Sequence, residues 1–391
     1  MFKKRIGILT GGGDVPPLNA IIASAVESCK QANIELIGFI KGWQGVIENR
    51  CLPLSGVHID ESIGGTILKS SRIKLDGNGR GIERATQVLH DLNLDGLIVI
   101  GGEDTLSNCF ALPDFPMVLI SKTIDNDVGR IEAGGADILN YFTLGFPTAA
   151  RRITSFVSLR EGLRMTAYSH ERIIVVESMG MHAGWLALAS SMGHPDFIII
   201  PEFPLNYERF KSLAIEKYKG QRHLIIVVAE GAKFSNGSYL SADEDEQDDF
   251  GHPRFRGSAE VLATRLRRDL KGEFDARNVN AVNPSYLYRS GLACTLDMTW
   301  AGKLGREAVD LLSDGLETPV FLAIQSAKED FFLMAYPLSG IGNIDEIHRF
   351  VDQRFYDPDA FEVTAEGKKY LKTIIEEIPL EEYGIQLFPP A

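Results

Sequence analysis

Carboxylates and a lysine crowd the ends of two apolar runs between Leu97 and Asp127. The first run reads Leu97-Ile98-Val99-Ile100 and stops at Gly101-Gly102-Glu103-Asp104-Thr105. The second reads Val118-Leu119-Ile120 and passes through Ser121-Lys122-Thr123 into Ile124-Asp125-Asn126-Asp127. Continuous apolar runs of this length suit strands buried on both faces of a parallel sheet. In open α/β sheets, ligands bind beyond the carboxyl ends of the strands. Glu103, Asp104, Lys122, Asp125 and Asp127 are therefore expected to converge on one crevice. The carboxylates would repel one another there without a cation. The chemistry expected of such a set is that of a metal and phosphate site.

The elements that must position these groups alternate. Arg5 to Leu9 reads as a buried strand, followed by Thr10-Gly11-Gly12-Gly13-Asp14-Val15-Pro16-Pro17-Leu18-Asn19 and helical spacing from Ala20 to Cys29. Strand, glycine loop and helix together offer backbone N–H groups to a phosphate. The loop is neither GxGxxG nor a Walker loop, and a tight turn without a ligand would also explain it. Ile34 to Ile40 reads as a strand, and Gly64-Gly65-Thr66 leads to Ser70-Ser71-Arg72, where Arg72 alone reads as solvated. Gly81 to Leu92 is an amphipathic helix, and a long helix is expected from Gly145 to about Arg164.

The second half repeats the layout. Strands are expected at Arg172 to Glu177, Phe197 to Ile200, Leu224 to Val228, Val320 to Gln325 and Phe331 to Tyr336. Helices are expected at Leu186 to Met192, Ser258 to Leu270, Lys303 to Leu312, Asp345 to Arg354 and Lys368 to Glu377. The acidic run 243–249 reads as an exposed loop tip. His182 and His194 read as structural. Strands alternating with helices imply βαβ units, a parallel sheet and an α/β fold.

A chain of 391 residues favours two domains. Its 45% hydrophobic and 24% charged residues are those of an ordinary globular protein. A net charge of −13 argues against a nucleic-acid partner. Cys29, Cys51, Cys109 and Cys294 lie far apart and read as reduced core residues. Met1-Phe2-Lys3-Lys4-Arg5 leads straight into a strand, without a signal-peptide pattern, and no apolar stretch is long enough for a membrane span. A soluble, cytoplasmic protein with no membrane partner is expected.

Taken together, the loops resemble the phosphofructokinase family over roughly residues 5–325. The likeness rests on Gly11-Gly12-Gly13-Asp14 with Asn19, Gly64-Gly65-Thr66 with Ser71-Arg72, Gly101-Gly102-Glu103-Asp104, Lys122-Thr123-Ile124-Asp125-Asn126-Asp127, and Met179-Gly180. It implies two doubly wound, Rossmann-like domains facing across a cleft. The phosphoryl-donor domain would take residues 1–143 and about 290–340, and the sugar-phosphate domain about 144–289. A C-terminal helical extension would cover about 341–391.

By the same resemblance, Asp125 is the general base for the 1-hydroxyl of fructose 6-phosphate. Glu103 and Asp127 are the Mg²⁺-associated carboxylates. Gly11 and Gly12 let the backbone approach the donor, and Arg72 stabilises the transferring phosphoryl group. Thr123, Met179, Gly180, Glu230, Tyr286 and Arg289 fall where the family holds the sugar phosphate. Arg172 matches an arginine that reaches a neighbouring subunit's site, which implies a homodimer or homotetramer. The pattern departs at Met181, where many members carry arginine, and also at Ser121 and Pro17.

The donor follows from residue chemistry beside the resemblance. ATP-using members resemble this chain with glycine in place of Asp104 and of Lys122. A carboxylate at 104 fills the space of a nucleotide α-phosphate and repels it. Lys122 supplies a point charge suited to compact pyrophosphate. The chain thus looks like the pyrophosphate-dependent branch, forming fructose 1,6-bisphosphate and phosphate reversibly in glycolysis or gluconeogenesis. The alternatives are an ATP-dependent 6-phosphofructokinase, with Asp104 and Lys122 a plain salt bridge, or a kinase of a related sugar phosphate. A catalytically silent regulatory or binding subunit is the alternative of another class.

Overall fold

A computed structural model describes the chain apart from residues 1, 3, 76–79, 132–137, 241, 248–252, 256, 272–277, 328–329 and 381–391. The chain divides into two compact units that interleave in sequence. The first comprises Met1–Thr148 and Arg289–Arg349, and the second Ala149–Tyr288 and Phe350–Ala391. The segment expected as a separate extension from 341 is thus shared between them.

The first unit opens with β1 (Lys4–Thr10), α1 (Leu18–Ala32), β2 (Ile34–Phe39), α2 (Gly42–Ile47) and β3 (Cys51–Pro53). Next come α3 (Arg80–Asp91), β4 (Gly96–Gly101), α4 (Glu103–Ser107) and β5 (Met117–Thr123). Short strands β6 (Arg130–Ile131), β7 (Ile138–Leu139) and β8 (Leu144–Gly145) precede α5 (Phe146–Val157), where the chain leaves this unit. It re-enters through α10 (Thr295–Ser313), β15 (Val320–Ala327) and β16 (Asp330–Pro337). The sheet runs β16-β15-β5-β4-β1-β2-β3, with β8 paired beside β5.

Strands β2, β1, β4, β5 and β15 are mutually parallel, and β3 and β16 close the edges antiparallel. Leu97, Ile98, Val99 and Ile100 are wholly buried, as strands covered on both faces require. Each such side chain stabilises the fold by roughly 1.5–3 kcal/mol. Helix α1 buries Leu18, Ile21, Ile22, Ala25 and Cys29 along one stripe and ends at Asn33 in the left-handed region. Ser24 Oγ donates to the Gly302 carbonyl and ties α1 to α10 at 2.6 Å.

The second unit contains α6 (Arg164–Ser169), β9 (Ile173–Ser178), α7 (Trp185–Ala189), β10 (Phe197–Ile199), α8 (Tyr207–Gln221) and β11 (Leu224–Ala229). Beyond these lie β12 (Ala242–Gln247), β13 (Pro253–Phe255), α9 (Ser258–Asp269), β14 (Val279–Val282) and α11 (Ala365–Lys372). Its parallel sheet runs β10-β11-β9-β14. Both units are therefore of the doubly wound α/β class.

Several elements differ from expectation. The long helix stops at Val157, because Ser158 Oγ accepts from the Glu161 amide and Leu163 N–H turns back to the Phe156 carbonyl at 2.8 Å. Arg164 then opens a separate helix, where it is buried against Asp196 at 3.2 Å. The acidic run is largely strand, since Ala242–Gln247 pairs with Pro253–Phe255; Asp248 and Asp249 lie outside the described residues. No α-helix forms over 345–354. Asn343 caps one 3₁₀ turn, Ile344–Ile347, after which the backbone pairs with Val128.

Candidate active site

Sheet topology brings the chemistry together. In the first unit the strand order reverses about β1, with β2 on one side and β4 on the other. In open α/β sheets such a switch point is where ligands bind, beyond the carboxyl ends of the strands. Gly11 N–H donates to the Ile100 carbonyl at 2.9 Å, so the glycine loop starts hard against the end of β4. Gly12 is held at φ +77, a conformation that glycine adopts freely. A Cβ on Gly13 would collide with Arg289 Nη1 and stand 3.8 Å from Arg72 Nη2. Gly13 is bare because Arg289 packs onto it, and Gly11 because the Thr105 side chain does.

Lys122 closes this cluster from β5. It is 2% exposed, and its Nζ donates to the Gly13 carbonyl. Burial lowers its pKa to about 7, helped by repulsion from Arg289 and Arg72 and opposed by Asp14 and Asp127. Asp104 is not among the charges that act most on it. Arg289, expected among the sugar contacts, stands beside Gly13 in the first unit. Lys122, Arg72 and Arg289 thus form a cationic cradle against the glycine loop, whose Gly11 and Gly12 N–H groups are engaged by the Ile100 and Ser71 carbonyls.

The carboxylates lie on the neighbouring loops. Glu103 and Asp104 begin α4 after Gly102. The turn after β5 is folded on itself: Asp125 N–H donates to Thr123 Oγ1 at 3.0 Å, and Asn126 sits at φ +56. His348, which sequence reasoning missed, places Nδ1 2.9 Å from Glu103 Oε2. Burial opposes its charge, but the Glu103 hydrogen bond and the nearby Asp127 outweigh this and raise its pKa. Burial likewise raises the Asp127 carboxyl, while His348 pulls it down.

Asp127 Oδ1 is buried and has no hydrogen-bond partner. A hard cation would satisfy it. Among the described residues, no group of three or more His, Cys, Asp or Glu side chains could hold a metal alone. Mg²⁺ does not need one, since it binds one or two carboxylates along with phosphate oxygens and water. Glu103 and Asp127 therefore fit the ion expected there.

In the second unit, Met179 and Gly180 follow β9, Glu230 follows β11, and Tyr286 follows β14, all at carboxyl ends of adjacent parallel strands. Glu230 Oε1 accepts from Gly180 N–H at 3.1 Å. Behind them, Glu177 accepts from Ala259 N–H and from Asn283 Nδ2, and its carbonyl accepts from the buried Tyr288 hydroxyl at 2.7 Å. Burial, and then the charge of Glu230, raise the Glu177 carboxyl. Arg172 differs from these residues. It precedes β9, so the strand, about 20 Å long, separates it from Gly180 in its own chain. Its Nη1 donates to Thr166 Oγ1 at 3.0 Å. Among the described residues no helix is long and apolar enough to cross a membrane.

A doubly wound sheet whose switch point gathers a glycine loop, a cationic cradle and paired carboxylates defines a phosphoryl-handling α/β enzyme. Residues 5–312 match the family model described as Phosphofructokinase. The chain is 38% identical over 331 residues to a pyrophosphate–fructose 6-phosphate 1-phosphotransferase of Dictyoglomus thermophilum, covering 83% of this chain and 90% of that one. It is 36% identical over 318 residues to ATP-dependent 6-phosphofructokinase 3 of Streptomyces coelicolor, covering 80% and 88%. A solved pyrophosphate-dependent phosphofructokinase from Nitrosospira multiformis shares the fold at a TM-score of 0.79 and 21% identity, over 98% of this chain and 96% of that one. The chain belongs to the phosphofructokinase family.

Proposed function

We propose that the protein transfers the terminal phosphoryl group of pyrophosphate to the 1-hydroxyl of fructose 6-phosphate, giving fructose 1,6-bisphosphate and phosphate. Identity to relatives does not choose the donor, because those of similar identity bear both pyrophosphate- and ATP-dependent names. The observation that carries the choice is the Lys122, Arg72 and Arg289 cradle, in which Lys122 is tied to Gly13 and is no salt-bridge partner of Asp104. Three cations suit a compact tetra-anion. Asp104, left free of Lys122, retains the negative charge that disfavours an α-phosphate.

The chemistry needs little covalent participation from the protein, so positioning and charge do most of the work. Asp125 takes the proton of the 1-hydroxyl as its oxygen bonds to the terminal phosphorus. The bridging P–O bond breaks, and its electron pair leaves on phosphate, where Arg72 and Lys122 offset the developing charge. Glu103 and Asp127 would hold Mg²⁺, which neutralises phosphate oxygens when bound. By the family resemblance, Thr123, Met179, Gly180, Glu230, Tyr286 and Arg289 are the residues assigned to the sugar phosphate. The test is a coupled assay with fructose 6-phosphate, Mg²⁺ and either donor. Turnover with pyrophosphate and strong discrimination against ATP are expected; ATP turnover with none from pyrophosphate would overturn the reading.

Arg172 completes the proposal from outside its own site. Its place at the amino end of β9 suits a residue that serves a second copy, in a cytoplasmic homodimer or homotetramer. Specific activity should fall on dilution in step with dissociation followed by light scattering. A fully active monomer would remove Arg172 from the reaction.

A further inference from the structure

The turn that carries Asp125 and Asp127 is gripped by a stretch of chain more than 200 residues away. Arg349 is 2% exposed, and its side chain is committed to this turn and its surroundings. Nε and Nη2 donate to the Asn126 carbonyl at 3.0 and 2.8 Å, and Nη2 also donates to Asn126 Oδ1 at 2.5 Å. Nη1 donates to the carbonyls of Asn140 and Tyr141 at 2.8 and 3.2 Å. The backbone repeats the grip: Arg349 N–H donates to the Asp127 carbonyl at 2.6 Å, and Gly129 N–H donates to the Ile347 carbonyl at 2.7 Å. Between these, His348 pairs with Val128 as an antiparallel bridge while its ring reaches Glu103.

Asn126 needs this grip. It is wholly buried in the left-handed region, which costs an asparagine less than most residues but still strains the chain. Its Oδ1 also accepts from Thr143 N–H at 3.1 Å, so Thr143 and Arg349 hold both the peptide and the side chain of the residue between the two aspartates. Fixing that peptide fixes the directions in which Asp125 and Asp127 leave the backbone.

We infer that Arg349 is a positioning residue for the phosphoryl transfer, acting through Asn126 to hold Asp125 and Asp127 in register. The inference rests on the function proposed above. It concerns residues beyond the 5–312 span matched by the family model, on a strap that closes the first unit at its final residue. The guanidinium fork supplies several fixed donors at once, which the single ammonium of lysine cannot do. A carboxylate displaced by about 1 Å loses rate more than affinity, because misplacement on that scale costs on the order of 10²-fold.

The test compares Arg349→Lys with Arg349→Ala, the latter assayed with and without added guanidinium. Wild-type activity is measured first, so a protein inactive with both donors would fail the proposed function before any variant is read. Arg349→Lys should lose about ten- to a hundredfold in kcat, with both KM values within about threefold. Guanidinium should restore part of kcat to Arg349→Ala and none to an Asp125→Asn control. Independently of activity, hydrogen exchange in Arg349→Lys should quicken in the peptide covering 121–129 and stay unchanged at 97–100. Near-normal kcat, exchange that rises equally throughout the first unit, or failure of both variants to fold would overturn the positioning role.

Discussion

Replacing Asp125 by asparagine should lower kcat by at least about a hundredfold with little change in either KM, as loss of a positioned base does. Asparagine keeps the size of the side chain and the Asp125 N–H bond to Thr123 Oγ1, so the turn should survive. The lost function is proton acceptance, which matters when the sugar hydroxyl attacks and little at binding. Steady-state kinetics in both directions check this, because the same group must return the proton when fructose 1,6-bisphosphate and phosphate react backwards. A variant turning over at near the parental rate would falsify the assignment of Asp125 as base.

The second large effect belongs to Lys122. Lys122→Gly should cripple pyrophosphate use at a cost of a few kcal/mol, about the range for a buried charged hydrogen bond. Asp104→Gly should act in the opposite sense by removing charge and bulk, and so raise ATP turnover. A pH signature accompanies the lysine. Its pKa in the folded protein is about 7, below the ordinary 10.5, so between these values the unfolded chain binds more protons. This group therefore favours folding increasingly as pH rises from about 7 to 10.5, and burdens the fold below that window. Pyrophosphate favours the ammonium form, so its binding should draw a proton onto Lys122 above about pH 7. Calorimetry in buffers of differing ionisation enthalpy reads that uptake, which Lys122→Met should abolish. Equal uptake by wild type and variant would assign the proton elsewhere.

Some of this site could be read from the sequence and some could not, for physical reasons. The ends of β4 and β5 were legible because burial on both faces writes an apolar run, and the polar residues that follow mark where the strand leaves the core. The glycine loop was legible as a tight turn between β1 and α1, whereas the nearness of Arg289, Arg72 and Lys122 to it was not, because those residues lie far along the chain. His348 and Arg349 carried no signal. They sit in a polar stretch with helical composition, and their partners lie across the sequence at Glu103 and Asn126. Tertiary pairing overrode local preference there, as it did where the acidic run became a strand. Arg289 was assigned to the sugar contacts by the family resemblance; its nearness to Gly13, across more than 270 residues of chain, is a contact that the sequence does not register. A serine hydroxyl ended α5 early, a local interruption that apolar periodicity does not register.

The interleaving of the two units has a consequence for the newborn chain. A ribosome delivers the glycine loop, Lys122 and the Asp125 turn long before Arg289, and Val320, the β15 partner of Val118, later still. Until then Val118, Leu119 and Ile120 of β5 lack their β15 partners and leave an apolar stretch of sheet edge open, and such edges invite pairing with other chains. Asn126 must meanwhile wait for the guanidinium that holds it. Closure of the edge by the β15–β16 hairpin and clamping of the turn by Arg349 come within one short stretch, Val320 to Arg349, so the edge and the turn stay incomplete together until that stretch has been made.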